Sequence, residues 1–228
     1  IADLLGLPER RVRVIAPDVG GGFGLKCVVG REEILVSAAA ARLQRPVKWI
    51  EDRLENLTAS FHGHEQRHTV RVGFDADGTL LGLDADIACD VGAYSCYPFT
   101  CGVEPLMAAT ELPGPYRLTR YRARARAVAT DKPPIAPYRG VSRPQITFVM
   151  ERVMDMAARR LDLDPVELRM RNLIGPGEFP YRSASGLLYD EGSYRESLER
   201  CAAALDHDTW RDRQTDARAE GRLIGQGF

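Results

Sequence analysis

Gln66-Arg-His-Thr-Val-Arg-Val-Gly-Phe74, Asp75-Ala-Asp-Gly78 and Thr79-Leu-Leu-Gly-Leu-Asp-Ala-Asp-Ile-Ala-Cys-Asp90 together form the strongest hairpin pattern in the chain. Two runs with apolar residues at alternate positions flank an Asp-Gly pair, which supplies the positive φ that a tight turn needs. Beyond it, Leu118–Thr130 sets Arg120, Arg122, Arg124 and Arg126 against Tyr121, Ala123, Ala125 and Ala127. A strand would carry all four arginines on one face. Such a ladder could meet phosphates, or it could be a face covered by acidic neighbours or a partner subunit. The balanced charge of the chain favours the second reading. Arg11–Ala16 and Pro46–Ile50 read as further strands, and Val91–Pro115, punctuated by glycine and proline, as an ordered loop.

Helical signals alternate with these strands. Arg31–Leu43 repeats Ile34, Leu35, Ala38 and Ala41 on one stripe before Pro46 stops it, and Gln145–Leu161 repeats Ile146, Val149, Met150, Val153, Ala157 and Leu161. Met154 and Met156 are read as core fillers. Asp164-Pro-Val-Glu167 and Ser193-Tyr-Arg-Glu196 have the pattern of helix starts, and the charged tail Asp206–Arg222 that of a solvated helix. The fold class expected is α+β, mixed sheets with packed helices. The division expected is 1–130, holding the glycine loop and hairpin, and 131–228, holding a second loop, the helical segment and the charged tail, with the two parts continuous.

The chain has 228 residues, 44% hydrophobic and 28% charged, which excludes wholesale disorder and leaves enough apolar surface for a sizeable core. A formal net charge of -1 gives no whole-chain attraction to nucleic acid or anionic lipid. No apolar run approaches the roughly 20 residues of a membrane span. The odd set Cys27, Cys89, Cys96, Cys101 and Cys201, without a CxxC pair, points to a reducing compartment and hence the cytoplasm. Ile1–Gly6 reads as the end of a helix and Gly221–Phe228 as the start of a strand, so a piece of a larger polypeptide is expected.

Two loops carry the candidate chemistry. Gly20-Gly-Gly-Phe-Gly24 exposes backbone amides ahead of the helix expected from Arg31, an arrangement that could cradle an anion, although it matches neither standard nucleotide motif. Taken alone, the run allows either close ligand approach or a tight structural turn. Thr130-Asp-Lys-Pro-Pro-Ile-Ala-Pro-Tyr-Arg-Gly140 is held by prolines, and its Arg139 offers a rigid fork for an oxyanion, although an arginine in a loop is more often paired with a carboxylate. His62, His64 and His68 lack a cysteine partner, and His64-Glu-Gln-Arg-His68 only mimics a zinc motif, so no metal ligands are assigned.

Several short motifs occur in a specific order: Pro17-Asp-Val-Gly-Gly-Gly-Phe-Gly-Leu-Lys26, Arg45-Pro-Val-Lys-Trp-Ile-Glu-Asp-Arg53, Glu55-Asn56, Asp75–Gly78, Asp90-Val-Gly-Ala-Tyr94, Thr130-Asp-Lys132, Pro137-Tyr-Arg-Gly140, Arg143-Pro144, Glu151–Asp155, Asp164–Arg169 and Arg171-Asn172. Together they resemble the molybdenum-binding large subunit of the xanthine dehydrogenase, aldehyde oxidase and carbon monoxide dehydrogenase family, over essentially the whole chain. The resemblance implies part of a molybdopterin-binding region, with the cofactor in its cytosine dinucleotide form.

It also implies that Gly21, Gly22, Phe23 and Gly24 lie beside the metal centre, and that Tyr138, Arg139 and Gly140 line the facing wall. Phe23 and Arg139 would act in catalysis. The implied activity is oxidation of an aldehyde or N-heteroaromatic carbon with water-derived oxygen, on a small-molecule substrate. Electrons would pass to Fe-S and FAD subunits, and the remainder of the large subunit would complete the site. The family's carbon monoxide enzymes carry a copper-bridging cysteine where this chain has Gly140, which disfavours that chemistry. The family's catalytic glutamate is expected outside the chain, so Glu104, Glu111 and Glu151 are not assigned that role. The alternatives are a catalytically silent fragment or assembly module, or a carbon monoxide dehydrogenase-like subunit lacking that cysteine.

Overall fold

A computed structural model describes residues 1–228. α1 (Ala2–Leu5) ends at Gly6, whose φ of 63° closes the helix. α2 (Arg31–Leu43) and α3 (Arg53–Ala59) follow, the latter started by Asp52, whose side chain accepts from the Glu55 amide while the Glu55 carboxylate accepts from the Asp52 amide. Neither helix has a fully buried residue, and Leu35, Leu54 and Leu57 are exposed. The apolar stripe of α2 is therefore not a core stripe within this chain. Arg11–Ala16 and Pro46–Ile50 also differ from expectation, forming no ladder with a neighbouring strand. Alternation predicts an extended backbone, but a strand also needs a partner.

The hairpin is present. β1 (Gln66–Phe74) and β2 (Leu80–Gly92) are joined by a turn in which Gly78 has φ 88° and a Cβ would meet Leu163 Cδ1 at 2.7 Å. Both conditions select glycine. From β2 the chain passes through α4 (Val103–Glu111) to β3 (Arg120–Ala129), so the span expected to be a loop contains a helix. The main sheet has the order β1-β2-β3. Gly82 lies against Arg120, Asp84 binds Arg122, and the Thr130 amide donates to the Gly92 carbonyl. That constant offset is the register of a parallel pair, for which a helical crossover is the usual connection.

α5 (Arg143–Leu161) buries Ile146, Met150, Met154 and Ala158. Its buried line follows a spacing of four rather than the wider stripe expected, and Met156 is exposed rather than core. α6 (Pro165–Asn172) starts as the sequence indicates, with Asp164 Oδ1 accepting from the Val166 and Glu167 amides. β4 (Tyr181–Arg182) and β5 (Leu188–Tyr189) form a small antiparallel pair, and α7 (Tyr194–Ala204) and α8 (Trp210–Ala219) complete the chain. The second capping box is not formed, because the Ser193 side chain accepts no amide at the start of α7. The result is α+β with mixed sheets and packed helices.

The chain forms two compact units, each from three stretches. Ile1–Arg67, Ile87–Met107 and Ala125–Pro144 make the first, and His68–Asp86, Ala108–Arg124 and Gln145–Phe228 make the second.

In the second unit, two buried polar side chains tie helices to the hairpin and to each other. Asn172 accepts from the Leu80 amide at 2.7 Å and donates to the Gly78 and Leu168 carbonyls at 2.8 Å. Arg169 is held by Glu151 at 2.7 Å and Asp155 at 2.9 Å, and Glu151 also accepts from the Tyr116 hydroxyl at 2.8 Å. Glu151 is thus a structural partner. Asn172→Ala leaves the Leu80 amide and Gly78 carbonyl without their buried partner and is expected to cost about 2–4 kcal/mol, read as a lower urea midpoint with an unchanged m-value.

Candidate cofactor-binding site

The glycine loop and the proline-rich loop, more than a hundred residues apart, meet in the first unit. The Arg139 amide donates to the Phe23 carbonyl at 2.7 Å. Gly24, at φ 96°, sits so close to the second loop that a Cβ would lie 2.5 Å from the Pro137 carbonyl oxygen. Phe23 itself has φ 49°, an uncommon conformation for a bulky residue, and its ring covers Gly21, where an added Cβ would meet it at 3.0 Å. The Phe23 and Tyr138 side chains remain 58% and 52% exposed beside this junction.

The second loop arrives there because its backbone is held on both sides. The Ala93 amide donates to the Lys132 carbonyl, the Ile135 amide to Val91 and the His62 amide to Pro134, while the Ala136 amide donates back to His62. Proline cannot donate, so Pro134 takes part through its carbonyl, and donation is left to Ile135 and Ala136. After Arg139 the chain turns sharply, with φ of 100° at Gly140, 28° at Val141 and 65° at Ser142.

A buried polar group supports that turn. Glu104 is 0% exposed, and its carboxylate accepts from the His64 amide at 3.0 Å and Gln66 Nε2 at 3.1 Å. Gln66 Nε2 also donates to Ser142 Oγ at 2.7 Å, which in turn donates to the Glu104 carbonyl at 2.8 Å. The His64 ring packs edge-on against Tyr138 with centroids 5.2 Å apart. Burial, with Glu104 nearby, pushes the Cys89 thiol up to about 12. Nothing in the sequence pattern marks Glu104, Gln66 and Ser142 as a set. Glu104 lies in a span that reads as a loop in the sequence, so neither its helix nor what it faces is legible there.

The surface of the junction suits an anionic group. None of the backbone amides from Gly20 to Gly24 donates a hydrogen bond within the chain, and the Arg139 guanidinium has no carboxylate partner. Free amides in a loop without side chains, together with an unpaired arginine, are donors arranged without an acceptor. The helix expected to reinforce the glycine loop does not adjoin it. A short 3-10 turn, Leu25–Cys27, intervenes, and the Gly30 amide at the start of α2 is taken by the Glu33 carboxylate. His62, Glu65 and Asp90 also converge, with candidate ligand atoms within 4.8 Å of one another. The Lys132 ammonium already bridges the two carboxylates, 2.5 Å from Glu65 and 2.9 Å from Asp90.

Residues 1–173 match the molybdopterin cofactor-binding domain. The chain belongs to that family. It is 38% identical over 225 residues to the nicotine 6-hydroxylase large subunit of Paenarthrobacter nicotinovorans, covering 98% of this chain and 27% of that protein. The carbon monoxide dehydrogenase large chain of Hydrogenophaga pseudoflava is 32% identical over 237 residues, covering 100% and 29%. Among solved structures, quinoline 2-oxidoreductase from Pseudomonas putida 86 superposes with a TM-score of 0.92 at 38% identity, covering 96% of this chain and 28% of that one. The chain thus matches a segment of molybdenum hydroxylase large subunits and spans little more than a quarter of their length.

Two outcomes follow from this geometry. Gly24→Ala forces a Cβ onto the Pro137 carbonyl at an unfavourable φ, whose strain alone is about 1–3 kcal/mol. The urea midpoint is expected to fall, whereas Gly22→Ala, which meets only Lys26 Cβ at 3.6 Å, leaves it near the parent value. Against the opposing effect of burial, the Thr130 hydroxyl, the Gly92 amide and Lys132 hold the Asp90 carboxyl at about 2, from an ordinary 3.8. A depressed carboxyl contributes stability that is present above its unfolded pKa and lost as pH falls through the folded one. Stability measured between pH 4 and pH 2 should therefore drop less steeply in Asp90→Asn than in the parent.

Proposed function

We propose that this chain holds the molybdopterin cofactor in a molybdenum hydroxylase that oxidises an N-heteroaromatic or aldehyde carbon with oxygen from water. The observation that carries the reading is the junction itself, where the Arg139 amide bonds Phe23 and leaves the loop amides and the Arg139 guanidinium undonated. Net conversion of R–H and water gives R–OH, two protons and two electrons. The chemistry supplied by bound molybdopterin with molybdenum is two-electron acceptance and activation of the water-derived oxygen.

In this reading the amides of Gly21, Gly22 and Gly24 would hold an anionic part of the cofactor, where the absence of side chains would allow close approach. Arg139 places a fixed positive charge on the same side, and Phe23 and Tyr138 supply apolar surface that orients a flat substrate and excludes water. Gly140 keeps the turn after Arg139 open, and it stands where the resemblance places a copper-bridging cysteine in carbon monoxide enzymes. Relatives named for nicotine and quinoline support a heteroaromatic substrate. The cytosine dinucleotide form, the Fe-S and FAD subunits and a cytoplasmic location complete the reading, the last supported by five free cysteines.

The test is the complete complex assembled with Arg139→Ala or Phe23→Ala, assayed for molybdenum, pterin and oxidation of a quinoline-type substrate in 18O-labelled water. Arg139→Ala is expected to lower turnover about 100-fold, the scale of removing one preorganised donor, with the label appearing in the parent's product. Loss of soluble yield equal to the loss of turnover would assign both residues to folding and remove them from the site.

A further inference from the structure

The arginine row on β3 is independent of the cofactor loops and unexplained by them. Within the second unit it belongs to an open face of the sheet. Asp84 on β2 is bound on one side by Arg71 of β1 at 2.8 Å and on the other by Arg122 of β3 at 2.7 Å. These two arginines are 82% and 75% exposed, and together they hold the Asp84 carboxyl well below the usual carboxylate range. Arg120 and Arg124, on the same face, make no ion pair. One cross-strand bridge is satisfied and the arginines before and after it on β3 are not.

Shallow grooves of about 600 Å3 and 540 Å3 lie along this face. Gly73 and Gly82 line the first with Arg71, Arg120 and Arg122, and Ala85, Asp86, Ala123 and Arg124 help to line the second. β3 is also the edge of its sheet, so its outer backbone groups face no strand.

We propose that β3 accepts an extended acidic peptide segment as an added strand, with carboxylates four residues apart seated on Arg120 and Arg124. Residues four apart in an extended chain are about 13.6 Å from each other, the separation expected of Arg120 and Arg124 along β3. Guanidinium forks bind carboxylates in a bidentate way, and the backbone of the added strand supplies pairing that a surface charge alone does not. Nucleic acid fits less well. Asp84 and Asp86 lie on the same face between the arginines, so a continuous polyanion would meet carboxylates, and the chain as a whole has a net charge of -1.

The experiment titrates the 228-residue chain into a fluorescent short peptide alternating valine and glutamate and reads anisotropy. Comparison probes are the same composition with its glutamates adjacent, the alternating peptide N-methylated along one edge, and a short DNA duplex. The alternating peptide is expected to bind at least about ten-fold more tightly than each comparison probe, a difference of about 1.4 kcal/mol. Arg120→Glu with Arg124→Glu should weaken it by at least the same factor. Both side chains are exposed, and circular dichroism checks that the variant keeps its fold. No binding, unchanged binding to the double variant, or equal binding of the N-methylated peptide or the duplex overturns the proposal. Because no cofactor enters this measurement, its outcome is separate from that of the hydroxylase reading.

Discussion

The amide of Arg139 donating to the carbonyl of Phe23 is one ordinary hydrogen bond, yet the candidate site depends on it. Such a bond contributes only about 1 kcal/mol net. Its importance lies in what has to be in place for it to form. The second loop must be held against His62 and Val91–Ala93, the turn at Gly140–Ser142 must be supported from below, and Gly24 must lack a side chain where the Pro137 carbonyl passes. Each condition is met by backbone pairing or by the absence of a Cβ rather than by bulky packing. The same feature leaves the surface rich in donors that have no acceptor within the chain.

Burial and charge are handled differently in the two units. In the second, Asn172 and Arg169 are buried with their hydrogen-bonding groups matched to carbonyls and carboxylates, so low dielectric strengthens those bonds. In the first, Glu104 is fully buried and divides its acceptors between His64 and Gln66, fixing the floor of a loop that carries an exposed arginine. A rigid floor under an exposed donor is the arrangement expected of a binding wall, since a mobile arginine would lose more entropy on engaging an anion.

The hairpin, β3, α5, α6 and the cap at Asp164 were legible because each rests on a local rule: strand alternation, a turn glycine, helical spacing or a side chain two residues from an amide. Local rules also produced the errors. Arg11–Ala16 and Pro46–Ile50 have strand alternation but no ladder, because pairing requires a second backbone that sequence does not supply. α4 was concealed because glycines and prolines surround it and Pro105 stands in its first turn, where a proline forfeits no helical hydrogen bond, and Ser193 has a capping pattern without the geometry. The stripe of α2 identifies an apolar face without identifying what covers it.

By itself the sequence determined the residues that the two loops carry. Glycines without side chains, a proline-fixed strap and an arginine are properties of composition and spacing, and their order along the chain carried the family resemblance. Tertiary structure decided that Gly24 and Pro137 touch, that Glu104, Gln66 and Ser142 form one polar floor, and that Lys132 fills the space between Glu65 and Asp90. Those outcomes depend on which distant segments share a surface. No local propensity encodes that, because the free energy of such contacts arises only once the sheet and its crossover have brought the segments together.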